Sequence, residues 1–235
     1  MTEFLPISST AHIRIVSAFF GWNDPGAAFT AIVQVGTMLS LLIYFTNDIK
    51  NLLKHFVLSI LNKKINYSIE SKQAWMIFFG TIPIVIFGLI FKNAIETYLR
   101  SLYVISATLI LLALILALAE KTAKKKKDVK EVSWIESQVM GLAQALALIP
   151  GVSRSGVTIT AGLFSGLTRE AAARFSFLLS IPAVFASGMY ELWEVKNQIS
   201  YDGLFVIIIS TVVAGIVGYL SIAFLLNYLK KHSTF

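Results

Sequence analysis

Ile149-Pro150-Gly151-Val152-Ser153-Arg154-Ser155-Gly156-Val157-Thr158 interrupts a chain that is apolar on both sides of it. Two glycines let backbone approach a ligand closely, the hydroxyls of Ser153, Ser155 and Thr158 can donate, and Arg154 offers a planar fork of donors that matches a phosphate. Lysine, a point charge, suits that task less well. At membrane depth such a polar, glycine-broken run needs protein or water around its backbone, so it predicts a re-entrant helix-loop-helix over 134–165 and not a span. The plain alternative is a cytoplasmic loop touching a headgroup phosphate, and the rest of the chain decides between them.

Of the 235 residues, 56% are hydrophobic and 14% charged, and the mean hydropathy is +0.74. That balance predicts an all-α polytopic membrane protein, with room for about six spans of roughly 20 residues in one bundle. With no cysteine, disulfides and thiolate metal or redox chemistry are excluded. A net charge of +7 would point to nucleic acid in a soluble protein. Here the lysines lie between apolar segments, where positive charge sets orientation, so membrane lipids and no nucleic acid are the expected partners. Met1-Thr2-Glu3 gives no basic start, and Pro6, Ser8, Ser9 and Thr10 break any hydrophobic core, so no cleavable signal is read and the spans direct insertion.

Taken in order, 4–22 is too short and polar to span and predicts a first re-entrant helix-loop-helix. Asn23-Asp24-Pro25-Gly26 reads as a turn, followed by a span over 27–45 that contains Gln34. From Asn47 to Lys72, apolar residues recur at three-to-four spacing among lysines, which predicts an amphipathic helix at the interface. Spans follow over 75–91, with Gly80, Pro83 and Gly88 predicting a kink or break, and over 102–119 after a polar link. The lysine-rich loop 120–131 is expected to be mobile and divides a first repeat, 1–119, from a second, 134–229. The second repeat adds spans over 175–192 and 204–229, joined by a loop through Tyr201, Asp202 and Gly203. Counting charge puts Arg14, Lys92, Arg100 and Lys196 on one side, Arg154 within the membrane, and the remaining basic residues on the other side, which is then cytoplasmic.

The halves echo each other. Pro6-Ile7-Ser8-Ser9-Thr10 lines up with Pro150-Gly151-Val152-Ser153-Arg154, and 78–85 resembles 177–184. With the topology above, the two re-entrant stretches enter from opposite faces, so the expected architecture is an inverted repeat of re-entrant helix-loop-helix plus transmembrane helices. Glu3, Ser8, Ser9, Thr10 and His12 would meet Ser153, Arg154, Ser155 and Thr158 near the midplane, where polar groups are costly and usually functional.

Such a set holds the parts for breaking a phosphoanhydride, which requires charge neutralisation, an in-line nucleophile and a proton route. Arg154 would clamp phosphate with Ser8, Thr10, Ser153, Ser155 and Thr158 around it. His12 would act as base or nucleophile, or activate Ser9 or Thr10. Glu3 would hold Mg2+ or Ca2+, or orient His12. Gln34 and Gln144 read as interhelical hydrogen bonders. A transporter or flippase for an anion or lipid phosphate is the competing reading, because inverted repeats meeting at the midplane are also a transporter plan.

The pair Thr2-Glu3-Phe4-Leu5-Pro6-Ile7-Ser8-Ser9-Thr10-Ala11-His12 and Pro150-Gly151-Val152-Ser153-Arg154-Ser155-Gly156-Val157-Thr158 resembles the undecaprenyl-diphosphate phosphatase family associated with bacitracin resistance. The resemblance implies a plasma-membrane phosphatase that converts undecaprenyl diphosphate to the monophosphate carrier lipid of cell-wall synthesis. It implies a divalent metal, an active site opening to the outer face, and functional roles for Glu3, Ser9, His12, Ser153, Arg154 and Thr158; a homodimer is admitted. That family's first motif usually has a second acidic residue four positions before the one matching Glu3, and its chains usually end in a further hydrophobic helix. This chain starts and stops short of both, so the resemblance also implies trimming at both ends.

Overall fold

The computed structural model describes residues 1–23, 26–195 and 201–231, and Asp24, Pro25, Lys196 and His232 lie outside them. Among the described residues ten α-helices follow in order: α1 Ser9–Phe19, α2 Gly26–Tyr44, α3 Thr46–Leu61, α4 Ile69–Ile90, α5 Lys92–Glu96, α6 Leu102–Thr122, α7 Trp134–Leu146, α8 Arg154–Phe164, α9 Arg169–Val195 and α10 Tyr201–Lys231. No β-strand occurs among the described residues, only an isolated bridge between Lys127 and Leu167. Helices α4, α6, α9 and α10 are long and apolar enough to cross a membrane, and the bent pair α2–α3 adds a fifth if taken as one span. The protein is all-α and multi-pass.

Local chemistry explains where these helices start. Ser68 and Ser71 form a reciprocal capping box at α4, and Ser133 and Glu136 form another at α7. The Thr168 hydroxyl accepts from the Ala171 amide at the head of α9. Between α2 and α3 the chain turns by 82°. Thr46 Oγ1 donates there to the Leu42 and Ile43 carbonyls, and Arg174 clasps Asp48 through two bonds of 2.7 and 2.8 Å. Amphipathic α3 therefore lies across the bundle end and stops at Leu61, and Lys72 belongs to α4 instead.

Helix α9 is the centre of the bundle. Of its membrane-length window 61% is buried, against 17% for α4 and α10 and 22% for α6. Around it pack α2, α4 and α8, and Phe175, Phe177 and Leu179 sit in the core with Phe45, Met76, Met140, Ile159 and Leu163. Ile110, Leu114 and Leu220 face outward, as lipid contact requires.

Several expectations are corrected. The 4–22 stretch is irregular through Ser8 and then forms the single helix α1, not a helix-loop-helix. Helix α4 runs through Gly80, Pro83 and Gly88 without a break; a neighbouring helix supports it there, α7 approaching so closely that a Cβ on Gly141 would stand 2.4 Å from the Gly80 carbonyl oxygen. Tyr201, Asp202 and Gly203 begin α10 and form no loop.

The lysine-rich loop is fastened. The Lys126 and Lys127 amides donate to the Gly166 carbonyl, the Thr168 amide donates to the Lys127 carbonyl, and Gln73 reaches the Val129 carbonyl. Carboxylates pair its charges, Glu120 with Lys125 and Arg169, and Glu136 with Lys127.

Candidate active site

Helices α1 and α8 have 11 residues each, about 16 Å, too short to cross a bilayer. Each is opened by a serine. Ser8 Oγ accepts from the Ala11 amide, and Ser153 Oγ accepts from the Gly156 amide. Matched by these caps, Ser8 corresponds to Ser153 and Ser9 to Arg154, one residue away from the register expected by lining up Pro6 with Pro150. Ser8 takes a left-handed φ of 62°, which holds the turn ahead of α1 in a costly conformation of the kind that concentrates at functional sites.

Ahead of α8, Gly151 also has a left-handed φ, 94°. A side chain there would collide with Thr108 Oγ1 at 2.1 Å and the Ile105 carbonyl oxygen at 2.7 Å. Thr108 Oγ1 donates to the Pro150 carbonyl at 3.0 Å, so α6 anchors the loop that aims Arg154.

The two motifs meet on Glu3. Its Oε1 takes the Arg154 guanidinium, and its Oε2 accepts from Ser9 Oγ at 2.5 Å and from Gln34 Nε2 at 3.3 Å. Side chains of Glu3 and Arg154 are only 8% and 16% exposed, so their charges are largely removed from water. Behind them Ser155 Oγ donates to the Leu5 carbonyl at 3.1 Å, a second tie between motifs 150 residues apart in the chain.

These groups line a cavity of about 430 Å³. Glu3, Ser8, Ser9, Thr10, Gln34, Ser153 and Arg154 form its polar part. Ile84, Val85 and Leu89 of α4, Leu148, and Ala183 and Ala186 of α9 form an apolar wall, with Ser187, Lys92 and Tyr190 also at the surface. Headgroup chemistry and an apolar tail therefore find matching surfaces in one place.

Three expected site residues lie elsewhere. Ser155 and Thr158 are buried and do not line the cavity. Their hydroxyls are spent on protein, Ser155 on Leu5 and Ser153, and Thr158 on the Arg154 carbonyl at 2.7 Å and on Ser176. His12 is exposed and outside the lining, one turn past Ser9 on α1. Its Nδ1 is 2.8 Å from the Ser8 carbonyl, which can only accept, so Nδ1 carries a proton and Nε2 is the free nitrogen.

Gln34, read as an interhelical bonder, reaches the central carboxylate. A lone amide in an apolar span was the available signal. Lys92 and Tyr190 carried none, since a lysine that opens a short helix and a tyrosine near the end of an apolar span are ordinary there.

For a divalent cation the donor set is one carboxylate and several hydroxyls, and among the described residues no three His, Asp or Glu cluster. Hard cations take oxygen and accept phosphate and water as ligands, so Glu3 suits a cation that completes its shell from substrate better than one held in a closed protein cage.

A family-wide profile described as bacitracin resistance protein BacA matches residues 1–235. The chain is 57% identical over 243 residues to an undecaprenyl-diphosphatase of Chlorobaculum parvum and to one of Chlorobium limicola. It is 56% identical over 244 residues to one of Chloroherpeton thalassium. Each alignment takes in 100% of this chain and 86% of the relative.

Proposed function

The chain belongs to the bacitracin resistance protein BacA family, and from that premise we propose that it is a membrane phosphatase hydrolysing undecaprenyl diphosphate to the monophosphate and inorganic phosphate, so recycling the carrier lipid for cell-wall synthesis. The observation that carries its mechanism is the contact of Glu3 with both Ser9 and Arg154 inside one cavity.

In the free protein Glu3 occupies the guanidinium. The terminal phosphate of a substrate competes for Arg154 and takes its paired donors, which frees the carboxylate. Ser9 Oγ then attacks the terminal phosphorus while its proton passes to Glu3, already its hydrogen-bond acceptor. The anhydride P–O bond breaks, and its electron pair leaves on the lipid monophosphate. Water cleaves the resulting phosphoserine, restoring Ser9 and releasing inorganic phosphate, with Nε2 of His12 the proposed base for this second step. Ser153 and Thr10 complete the phosphate cradle, and Gln34 holds Glu3 in position. Glu3 would also hold Mg2+ or Ca2+ together with substrate oxygens, adding neutralisation of phosphate charge.

The proposal places the protein in the plasma membrane with its cavity open to the outer face. Support comes from the clustering of Glu120 with Arg169, Asp48 with Arg174 and Glu136 with Lys127 at helix ends remote from Lys92. It also keeps the inverted repeat, supported by two serine-capped helices of 11 residues, each followed directly by a long helix.

Phosphate release from a prenyl diphosphate is the direct test. Arg154→Ala and Ser9→Ala should each lower kcat/KM by about 10²–10³, and His12→Ala should slow turnover. Wild-type rates in the first two variants would sink the mechanism. Lipid movement across liposomes without phosphate release would favour a carrier.

A further inference from the structure

Helix α3 leaves α2 at 82°, so it runs across the end of the bundle and not along its axis. Its inner side is held firmly. Arg174 clasps Asp48 and lies 5.5 Å from the Phe45 ring, and Phe56 packs on Trp75 with ring centroids 4.6 Å apart. Trp75 Nε1 donates to Ser59 Oγ at 2.9 Å, and His55 Nδ1 meets the Ser68 hydroxyl at 2.9 Å. The opposite side of α3 therefore has a fixed orientation.

That side is both apolar and basic. On a helix of 3.6 residues per turn, Leu53, Val57 and Ile60 fall within an arc of about 60°, and Lys50 and Lys54 occupy the arc beside it. All five are exposed, and Lys63 and Lys64 add two exposed charges directly after the last turn. Between Thr46 and Lys64 the sequence holds one carboxylate, Asp48, and Arg174 takes it, so nothing within the segment offsets the four lysines.

An apolar strip flanked by lysines on long stems fits the boundary where acyl chains meet headgroup phosphates. The strip enters the hydrocarbon and the ammonium groups reach the phosphates. We infer that α3, together with Lys63 and Lys64, is a docking surface for anionic phospholipid, with Lys50 and Lys54 the principal headgroup contacts. A soluble acidic protein would answer the lysines and leave the apolar strip in water. A neutral lipid would cover the strip, but the cation of its own headgroup already offsets its phosphate. A headgroup of net negative charge answers both.

Because the chain has no cysteine, lipid can be read at one point on this surface. The full chain is placed in phosphatidylcholine vesicles containing phosphatidylglycerol, with a fluorophore on the cysteine of Val57→Cys. Brominated phosphatidylglycerol should quench it more strongly than an equal fraction of brominated phosphatidylcholine, with a relative association constant of about tenfold or more, since each lysine near an anionic surface contributes roughly fivefold. A fluorophore carried by Leu114→Cys, on the outward face of α6, should distinguish the two lipids far less. Lys50→Gln combined with Lys54→Gln should lower the ratio at Val57 about fivefold or more. Salt at about 1 M, which shortens the Debye length to about 3 Å, should lower it without any substitution.

Equal quenching by the two lipids at Val57 overturns the inference. So does a preference of the same size at Leu114, which marks enrichment of phosphatidylglycerol around the whole protein. Quenching by neither lipid at Val57 also overturns it, because the face then lies outside the bilayer and is left to a soluble partner. Vesicles with the same lipid mixture on both faces make the result independent of orientation, and no readout involves phosphate release, so the outcome stands apart from that of the phosphatase reading.

Discussion

At the residue scale, Glu3 joins three side chains from different parts of the sequence, so any one substitution orphans a partner. Removing Arg154 leaves a carboxylate 8% exposed, and removing Glu3 leaves a guanidinium 16% exposed. Breaking one side of a buried pair typically costs about 3–5 kcal/mol, whereas replacing both partners costs far less. Glu3→Gln and Arg154→Met should therefore each lower Tm, and the double variant should lie well above the value expected from adding the two losses. Simple additivity in thermal unfolding would show that the pair is not coupled. Ser155 and Thr158 teach the complementary lesson. Hydroxyls beside a phosphate-binding arginine look like ligands, but a short buried helix also needs its neighbours' carbonyls and hydroxyls satisfied, and these two serve that end.

At the element scale, α8 is the short helix whose residues 155–163 are all buried. It can aim Arg154 only because α6, α7 and α9 enclose it. The α4–α7 contact sets how near that enclosure comes, through backbone touching backbone at Gly80 and Gly141. Gly141→Ala should force the helices apart, destabilise by about 1–3 kcal/mol as overpacking generally does, and lower activity by shifting the walls of the cavity. An alanine variant with wild-type Tm and turnover would mean that the approach is easily relaxed. Pro83 and Pro182 show the limit of a local rule. Proline inside a helix predicts a break, yet α4 and α9 continue through theirs because packed neighbours stabilise them.

At the scale of the whole molecule, the pairs Glu120–Arg169, Asp48–Arg174 and Glu136–Lys127 lie at one end of the bundle, and the cavity with Lys92 lies toward the other, separated by α6, whose 21 residues span about 31 Å. The chain contains no cysteine, so single cysteines report sidedness cleanly. A cysteine at Lys92 should react with an impermeant thiol reagent added outside intact cells, and one at Lys124 should react only after the membrane is opened. The opposite pattern would reverse the proposed orientation. Composition and periodicity alone determined that this is a helical membrane protein, because a shortage of charge and long apolar runs leave no other way to satisfy the backbone. The polar residues of two motifs, standing out against that background, also made the parts of a phosphate site legible before any fold was known. Only tertiary structure could decide which of those parts share a cavity: it joined Glu3 to Ser9, Gln34 and Arg154, turned His12 outward, and brought in Lys92 and Tyr190. Those choices depend on how helices rotate and pack against one another, and a side chain's direction in space is set by neighbours that the sequence places far away.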